Sequence, residues 1–126
     1  MMNKMKVVQD PRLKDKAVLY LRYSSESQTE NSIEGQRREC MEFAKKNGMA
    51  VLAEYIDRAM TGTNDNRPEF RRMIRDSSKN AFGNVIVWKS DRFSRDMLDA
   101  VRYERELGKN GVKLLSATEA NLDTPE

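Results

Sequence analysis

The hydrophobic and polar positions of the chain change period several times, and these changes divide it into strands and helices. A nearly continuous apolar run at 17–23 predicts a strand that is covered on both faces. Shorter apolar runs predict three further strands at 51–56, 85–88 and 112–116. Between these runs, apolar residues return at the spacing of a helix.

Three helices are predicted between the strands. The first begins at Asn31, an N-cap candidate with Glu34 three residues later, and ends at Gly48. Pro68 suits the first turn of the second helix, and the third is predicted over 94–109. The residues predicted to face the core are Ile33, Cys40, Met41 and Ala44 with the stem of Arg37 in the first helix, Phe70, Met73 and Ile74 in the second, and Met97, Leu98, Val101, Tyr103 and Leu107 in the third.

The alternation of strands and helices predicts an α/β fold, a three-layer sandwich around a central, mainly parallel sheet of about four strands. Residues 1–15 are polar and include Pro11, which predicts a leader or a loosely attached N-terminal arm, and residues 16–126 form the domain. In such sheets the functional groups gather beyond the carboxyl ends of the strands.

Composition narrows the classes of function. The chain of 126 residues suits one domain, and its 23 Lys and Arg against 20 Asp and Glu permit a polyanionic partner without requiring one. The lack of histidine excludes a Ser-His-Asp triad, and with Cys40 as the single cysteine it argues against a zinc site. No apolar run approaches the ~20 residues of a membrane span, so a soluble, cytoplasmic protein is expected.

The first polar cluster, 22–28, follows the first predicted strand. Because side chains alternate along a strand, Arg22 and Ser24 point the same way and place a guanidinium beside a hydroxyl. Ser25 points away from Arg22. An ion pair next to a surface turn would use the same residue types, so this cluster alone does not decide the function.

Two more polar clusters occur at 88–96 and 57–67. Arg92 and Arg95 share a face at the start of the third predicted helix. Two cations oppose the helix dipole there, which favours a compensating anion such as phosphate, although a solvated helix end is the simpler interpretation. The 57–67 segment, taken alone, indicates only a polar surface loop.

Together the three clusters resemble the serine site-specific recombinases of the resolvase and invertase type, from about residue 17 to the C-terminus. The segment 32–36 is similar to the first helix of the large serine recombinases and transposon recombinases, and Asp57 to Pro68 resembles the mobile loop of the family and its arginine. Tyr23 and Ser25 depart slightly from the usual pattern. The first motif of the family stands here as Tyr20, Arg22, Ser24 and Gln28, and its Asp-Arg-x-x-Arg signature as Asp91, Arg92 and Arg95.

The resemblance implies a resolvase-like catalytic domain in which Ser24 attacks a DNA phosphodiester and forms a 5′-phosphoserine link. It implies neither a metal nor a cofactor, and it leaves the general base unassigned. Asp91 and Gln28 become supporting polar groups. The side chains implied to bind phosphate are Arg22, Arg67, Arg92, Arg95 and Lys89.

The implied partner is double-stranded DNA, bound by a homodimer and then a synaptic homotetramer of the full-length protein. Residues 121–126 are similar to the family segment before the long dimerisation helix. The chain is therefore expected to be truncated before that helix and the DNA-binding region. The target site, and the choice between integration, excision, inversion and resolution, stay open.

Two alternatives use the same fold. A flavodoxin-like regulatory module would depend on Asp57, and it predicts acidic residues after the first strand, where Arg22 and serines stand instead. A catalytically silent protein with the recombinase fold would not be expected to keep Ser24 and the arginines.

Overall fold

The computed structural model describes residues 7–22, 30–58, 67–89 and 97–118, which form one sheet and the helices that cover it. All pairs in the sheet are parallel, and the strand order is β2-β1-β3-β4. The strands are β1 (Lys16–Arg22), β2 (Ala50–Asp57), β3 (Asn84–Val87) and β4 (Lys113–Ser116). The helices are α1 (Glu30–Lys46), α2 (Pro68–Asp76), with a 3-10 turn at Ser77–Lys79, and α3 (Met97–Lys109).

Helices cover both faces of this sheet, which confirms the predicted three-layer α/β sandwich. Alternate residues of β1 enter two separate cores: Val18 and Tyr20 pack with α2 and α3, whereas Leu19 and Leu21 pack with α1. The thiol of Cys40 lies in the α1 core, where burial raises its pKa to about 12. In the parts of the chain that the structure describes, no helix has the length and apolar character needed to span a bilayer.

The predicted helix ends are mostly confirmed. Gly48 follows α1 with a φ of +67°, the left-handed conformation that ends helices, and Pro68 opens α2. The prediction of Asn31 as an N-cap is wrong, because α1 begins at Glu30. An N-cap at Asn31 would place the first helical residue at position 32, two residues after the observed start.

Three residues predicted to face the core are exposed instead. Leu98 is 82% exposed, Val101 45% and Met41 44%. In α3 the buried Leu107 faces the sheet, and nine residues of helix are two and a half turns, so Leu98 falls on the opposite side. The apolar residues of α3 were predicted to face the core together, but they do not all lie on one face of the helix.

The described part of the N-terminal arm, 7–15, contacts the amino edge of the sheet and is not loosely attached. Gln9 Nε2 donates hydrogen bonds to the Gly83 carbonyl at 2.6 Å and to Asn84 Oδ1 at 3.2 Å. Asn84 is 1% exposed, and its Nδ2 donates to the carbonyls of Lys14 and Lys16 at 2.9 and 3.1 Å. The arm therefore satisfies a buried amide of β3.

Two glycines let the arm approach this closely. A Cβ at Gly83 would overlap the carbonyl oxygen of Leu13, and Gln9 Nε2 would lie only 3.2 Å away. At Gly111, where φ is +76°, a Cβ would lie 2.9 Å from the Val8 carbonyl oxygen. Both positions exclude a side chain because the backbone of the arm occupies the space.

We expect Gly83→Ala to lower the free energy of unfolding by ~1–3 kcal/mol, since the added methyl group must displace the arm. Gly35→Ala is the matched control: Gly35 lies within α1, and a methyl group added there would meet no atom within 4 Å. That change should raise the free energy of unfolding by ~0.5–1 kcal/mol through helix propensity. Urea denaturation measures both.

Deleting residues 1–13 separates the two effects. Without the arm, Gly83→Ala loses its steric conflict with Leu13, so most of its destabilisation should disappear, while the gain from Gly35→Ala should persist. An undiminished effect of Gly83→Ala in the shortened chain would show that the arm is not the cause.

Candidate active site

The carboxyl edge of the sheet holds the predicted site residues that the structure describes. Arg22 ends β1 and pairs in register with Asp57, which ends β2. Lys89 follows β3 by two residues, and Arg67 immediately precedes α2. Since the strands are parallel, Arg22, Asp57 and Lys89 lie at the same edge, and the hydrogen bonds between Asp57 and the start of α2 place Arg67 there as well.

Asp57 joins two strands to helix α2 at this edge. The residue is 6% exposed, and its carboxylate accepts hydrogen bonds from the Tyr20 hydroxyl at 2.8 Å and from the backbone N–H groups of Glu69 and Phe70, both at 3.0 Å. Arg67, the residue in the N-cap position, makes no capping bond with its side chain. Asp57 therefore caps α2 from a distance and places a negative charge at the positive end of the helix dipole.

Asp57 also brings two of the predicted arginines to this edge. Arg22 pairs with Asp57 in register across β1 and β2, and Arg67 stands two residues before Glu69, whose N–H donates to the Asp57 carboxylate. Burial and the Asp57 carboxylate raise the pKa of the Tyr20 hydroxyl, whereas the positive charges of Arg22 and Arg67 lower it. Arg22 and Arg67, 45 residues apart in the sequence, are thus positioned through the same carboxylate.

Gln36 holds the end of β1 from the other face of the sheet. It is 2% exposed in α1, and its Nε2 donates to the Arg22 carbonyl at 3.0 Å while its Oε1 accepts from the Arg22 N–H at 3.4 Å. The amide so fixes the backbone two residues before Ser24. No role is predicted for Gln36 from the sequence, although a glutamine on the apolar face between Ile33 and Cys40 indicates a buried polar contact.

A second tyrosine–aspartate pair fastens the other end of α2. The Tyr55 hydroxyl donates to Asp76 Oδ2 at 2.7 Å, and the guanidinium of Arg72 lies 4.6 Å from the centre of the Tyr55 ring. Burial, followed by this hydrogen bond, raises the pKa of Tyr55 to about 12, and the same bond lowers the pKa of Asp76. Helix α2 is held at both ends by buried tyrosines of the sheet.

Lys89 lies on the exposed side of the edge. Its Nζ lies 4.7 Å from the centre of the Trp88 ring. The Trp88 carbonyl accepts hydrogen bonds from the Thr118 hydroxyl at 2.8 Å and the Thr118 N–H at 3.2 Å. Contacts with the segment after β4 thus fix the end of β3, where the 88–96 cluster begins.

Several predicted site residues lie outside the described residues, as does most of the segment that resembles the mobile loop of the family, from Asp57 to Pro68. The interpretation of 57–67 as a surface loop is wrong at both ends of this range, because Asp57 and Arg67 are buried. Within the described ranges, no group of three or more His, Cys, Asp or Glu side chains is arranged to hold a metal ion. The predicted site residues that lie outside those ranges are Ser24, Gln28, Asp91, Arg92 and Arg95.

These features define an α/β sandwich with arginines gathered at the carboxyl edge of a parallel sheet. Residues 17–126 match the family model described as Resolvase, N terminal domain. The chain belongs to this family, and the resemblance read from the sequence is confirmed.

Solved structures and a curated relative agree with this assignment. The chain is 29% identical to the N-terminal catalytic domain of TP901-1 integrase, with a TM-score of 0.69 over 81% of this chain and 76% of that one. It is 31% identical to a resolvase family site-specific recombinase from Streptococcus pneumoniae, with a TM-score of 0.74 over 82% of this chain and 72% of that one.

The curated relative is the Bacillus subtilis (strain 168) protein named Putative DNA recombinase. It is 30% identical over 110 residues, which are 86% of this chain. The chain spans only 21% of the length of that relative.

We expect Tyr20→Phe to lower the free energy of unfolding by ~1–3 kcal/mol. It deletes the hydroxyl that Asp57 accepts from and leaves part of a buried carboxylate without a partner. Thermal or urea denaturation of this chain measures the change.

Tyr55→Phe is the matched control, because it removes the same atom from the other tyrosine–aspartate pair. The Asp76 side chain is 22% exposed, so water can replace the lost donor, and a loss of ~1 kcal/mol or less is expected. Equal losses in the two variants would contradict the special position of Asp57.

Proposed function

We propose that this chain is the catalytic domain of a serine site-specific DNA recombinase, which cuts and rejoins DNA through a covalent 5′-phosphoserine intermediate. The observation that carries the proposal is that Asp57 positions both Arg22 and Arg67 at the carboxyl edge of the sheet, at the strand end that Ser24 follows by two residues. Membership of the resolvase family supports the same chemistry.

Ser24 is the proposed nucleophile. Its oxygen attacks the phosphorus, a new P–Oγ bond forms, and the bond from phosphorus to the 3′ oxygen breaks. The proton of the serine leaves and the 3′ oxygen takes one up, so the products are a phosphoserine link and a free 3′-hydroxyl. A 3′-hydroxyl from another strand reverses the step after exchange, and no nucleotide hydrolysis is needed because the link conserves the phosphodiester bond.

Arginines supply the proposed stabilisation of the transition state. Negative charge on the non-bridging oxygens is best met by preorganised cations, and planar guanidinium groups fit phosphate in pairs of hydrogen bonds. We assign this role to Arg22, Arg67, Arg92 and Arg95, with Lys89 contacting a neighbouring phosphate. Asp91 and Gln28 would orient these groups, and the general base stays unassigned.

The proposed partner is double-stranded DNA. A domain of this kind binds DNA through its phosphates and with little sequence preference. We assign site selection, the homodimer and the synaptic homotetramer to a longer, cytoplasmic protein, as the length of the curated relative suggests.

The contacts of Asp57 argue against the regulatory alternative. A flavodoxin-like regulatory module needs this carboxylate to bind Mg²⁺ or to react. Here Asp57 is buried, and its oxygens accept from Tyr20 and from two backbone N–H groups of α2. Its geometry suits a structural role at the edge where the arginines act.

Ser24→Ala is expected to abolish the covalent adduct with DNA and to leave DNA affinity nearly unchanged, since the change removes the bonding oxygen and no charge. The measurement is denaturing gel analysis of the full-length protein on its recombination site, with the adduct mapped by peptide mass spectrometry. Ser25→Ala is the control, because alternation places Ser25 off the face of Arg22, and it should keep the adduct. An adduct on Ser25 or Ser27 would overturn the assignment.

Arg67→Ala should slow cleavage by ~10²–10³, the usual effect of losing one electrostatic donor to a transition state. Arg71→Ala, one turn later on the exposed side of α2, removes the same charge and should change the rate much less.

Cleavage by the unmodified protein should continue in excess EDTA. Cleavage that stops with EDTA and returns with Mg²⁺ would show a metal-dependent mechanism and contradict the arginine clamp.

A further inference from the structure

Arg67 is an unusually enclosed arginine. Only 7% of the residue is exposed, and its guanidinium carbon lies 4.2 Å from the centre of the Phe70 ring. Arg67 occupies the N-cap position three residues before Phe70, and its backbone (φ −121°, ψ 76°) lies outside the helical region, so the way the chain enters α2 sets this contact. A cation at this distance from a ring face is attracted by the negative charge of the π system.

Phe70 is held from several sides. The residue is fully buried, and its backbone N–H donates to Asp57 Oδ2 at 3.0 Å. Its ring meets the Tyr20 ring edge-on at 5.3 Å and 63°, and the Tyr103 ring at 4.8 Å and 88°. Edge-to-face contacts of this kind fix the plane of a ring. The surface that Phe70 offers to Arg67 therefore has a set orientation.

We propose that Phe70 is a positioning residue for the strand-transfer reaction: its ring fixes the plane of the Arg67 guanidinium, so that the N–H edges of that group are aimed before DNA arrives. The inference rests on the proposed function, in which Arg67 binds the reacting phosphate. Stacking restrains the face of a guanidinium, and its hydrogen bonds are made in its plane, so one contact does not compete with the other.

The energetic consequence appears in the reaction rate. An arginine that is already oriented loses less freedom when the transition state forms, and orientation in advance stabilises the transition state more than the bound ground state. Weakening the ring contact should therefore slow cleavage and leave DNA affinity almost unchanged.

The test replaces Phe70 with a trifluorinated phenylalanine, which keeps the shape and burial of the ring but withdraws charge from its face. In this chain, the NMR resonance of the Arg67 Nε–Hε group should shift and its order should fall. In the full-length protein, single-turnover cleavage should slow by about fivefold, as expected for a partly desolvated cation–π contact. In an Arg67→Ala background the same replacement should have no further effect on the rate.

Phe82 is the matched control. It is 3% exposed in the same core, and among the described residues no lysine or arginine stacks on it. Fluorinating Phe82 should change neither the Arg67 resonance nor the cleavage rate. Equal slowing at both positions would indicate a general packing defect and overturn the proposal.

The two readouts separate this inference from the proposed function. An unchanged Arg67 resonance, or a changed resonance with an unchanged rate, overturns the role of Phe70. If the unmodified protein forms no adduct at all, the recombinase proposal fails and the catalytic role of Phe70 fails with it, and the resonance then reports a structural contact only.

Discussion

The carboxyl edge of the sheet depends on the hydrogen bonds that the Asp57 carboxylate accepts. This carboxylate lies in a place where burial disfavours a charge, and it is tolerated there because a hydroxyl and two helix N–H groups donate to it. The same three bonds tie β1, β2 and α2 together. Arg67 directly precedes that helix. The Asp57 carboxylate therefore sets the position of a residue that is proposed to bind phosphate, without itself needing to contact DNA.

The two faces of the sheet support different parts of the candidate site. On the α2 face, tyrosines and aspartates set the position of the helix that Arg67 directly precedes. On the α1 face, the Gln36 amide takes up both backbone groups of Arg22 and so steadies the strand end that leads to Ser24. Buried polar groups that are fully paired specify one geometry more sharply than apolar packing does. Buried side chains of the sheet and the helices thus help to position the candidate site, and the loops do not do so alone.

Sequence periodicity predicted the fold well because strands and helices here follow local patterns. It failed where burial depends on which face of a helix a residue occupies. Leu98 belongs to a series of apolar residues in α3, but it lies two and a half turns from the buried Leu107 and therefore faces solvent. The roles of Asp57 and Gln36 were missed for a different reason. Their partners lie on other elements, and nothing in one residue's neighbourhood specifies a contact made across the chain. The proposal of Ser24 as the nucleophile comes from the resemblance to the family motif, since alternation along the strand places Ser24 on the side of Arg22 without deciding its function.

The order of the strands leaves β2 at one edge of the sheet, where Leu52 is 52% exposed. An apolar edge strand is a template on which a second molecule can add its own strand. Arg37 of α1 holds Glu54 of β2 by two hydrogen bonds of 2.7 and 3.0 Å, and this keeps a charged pair beside the edge. An edge flanked by charged side chains is a poor template for strand addition, so the pair opposes such pairing as well as joining α1 to β2.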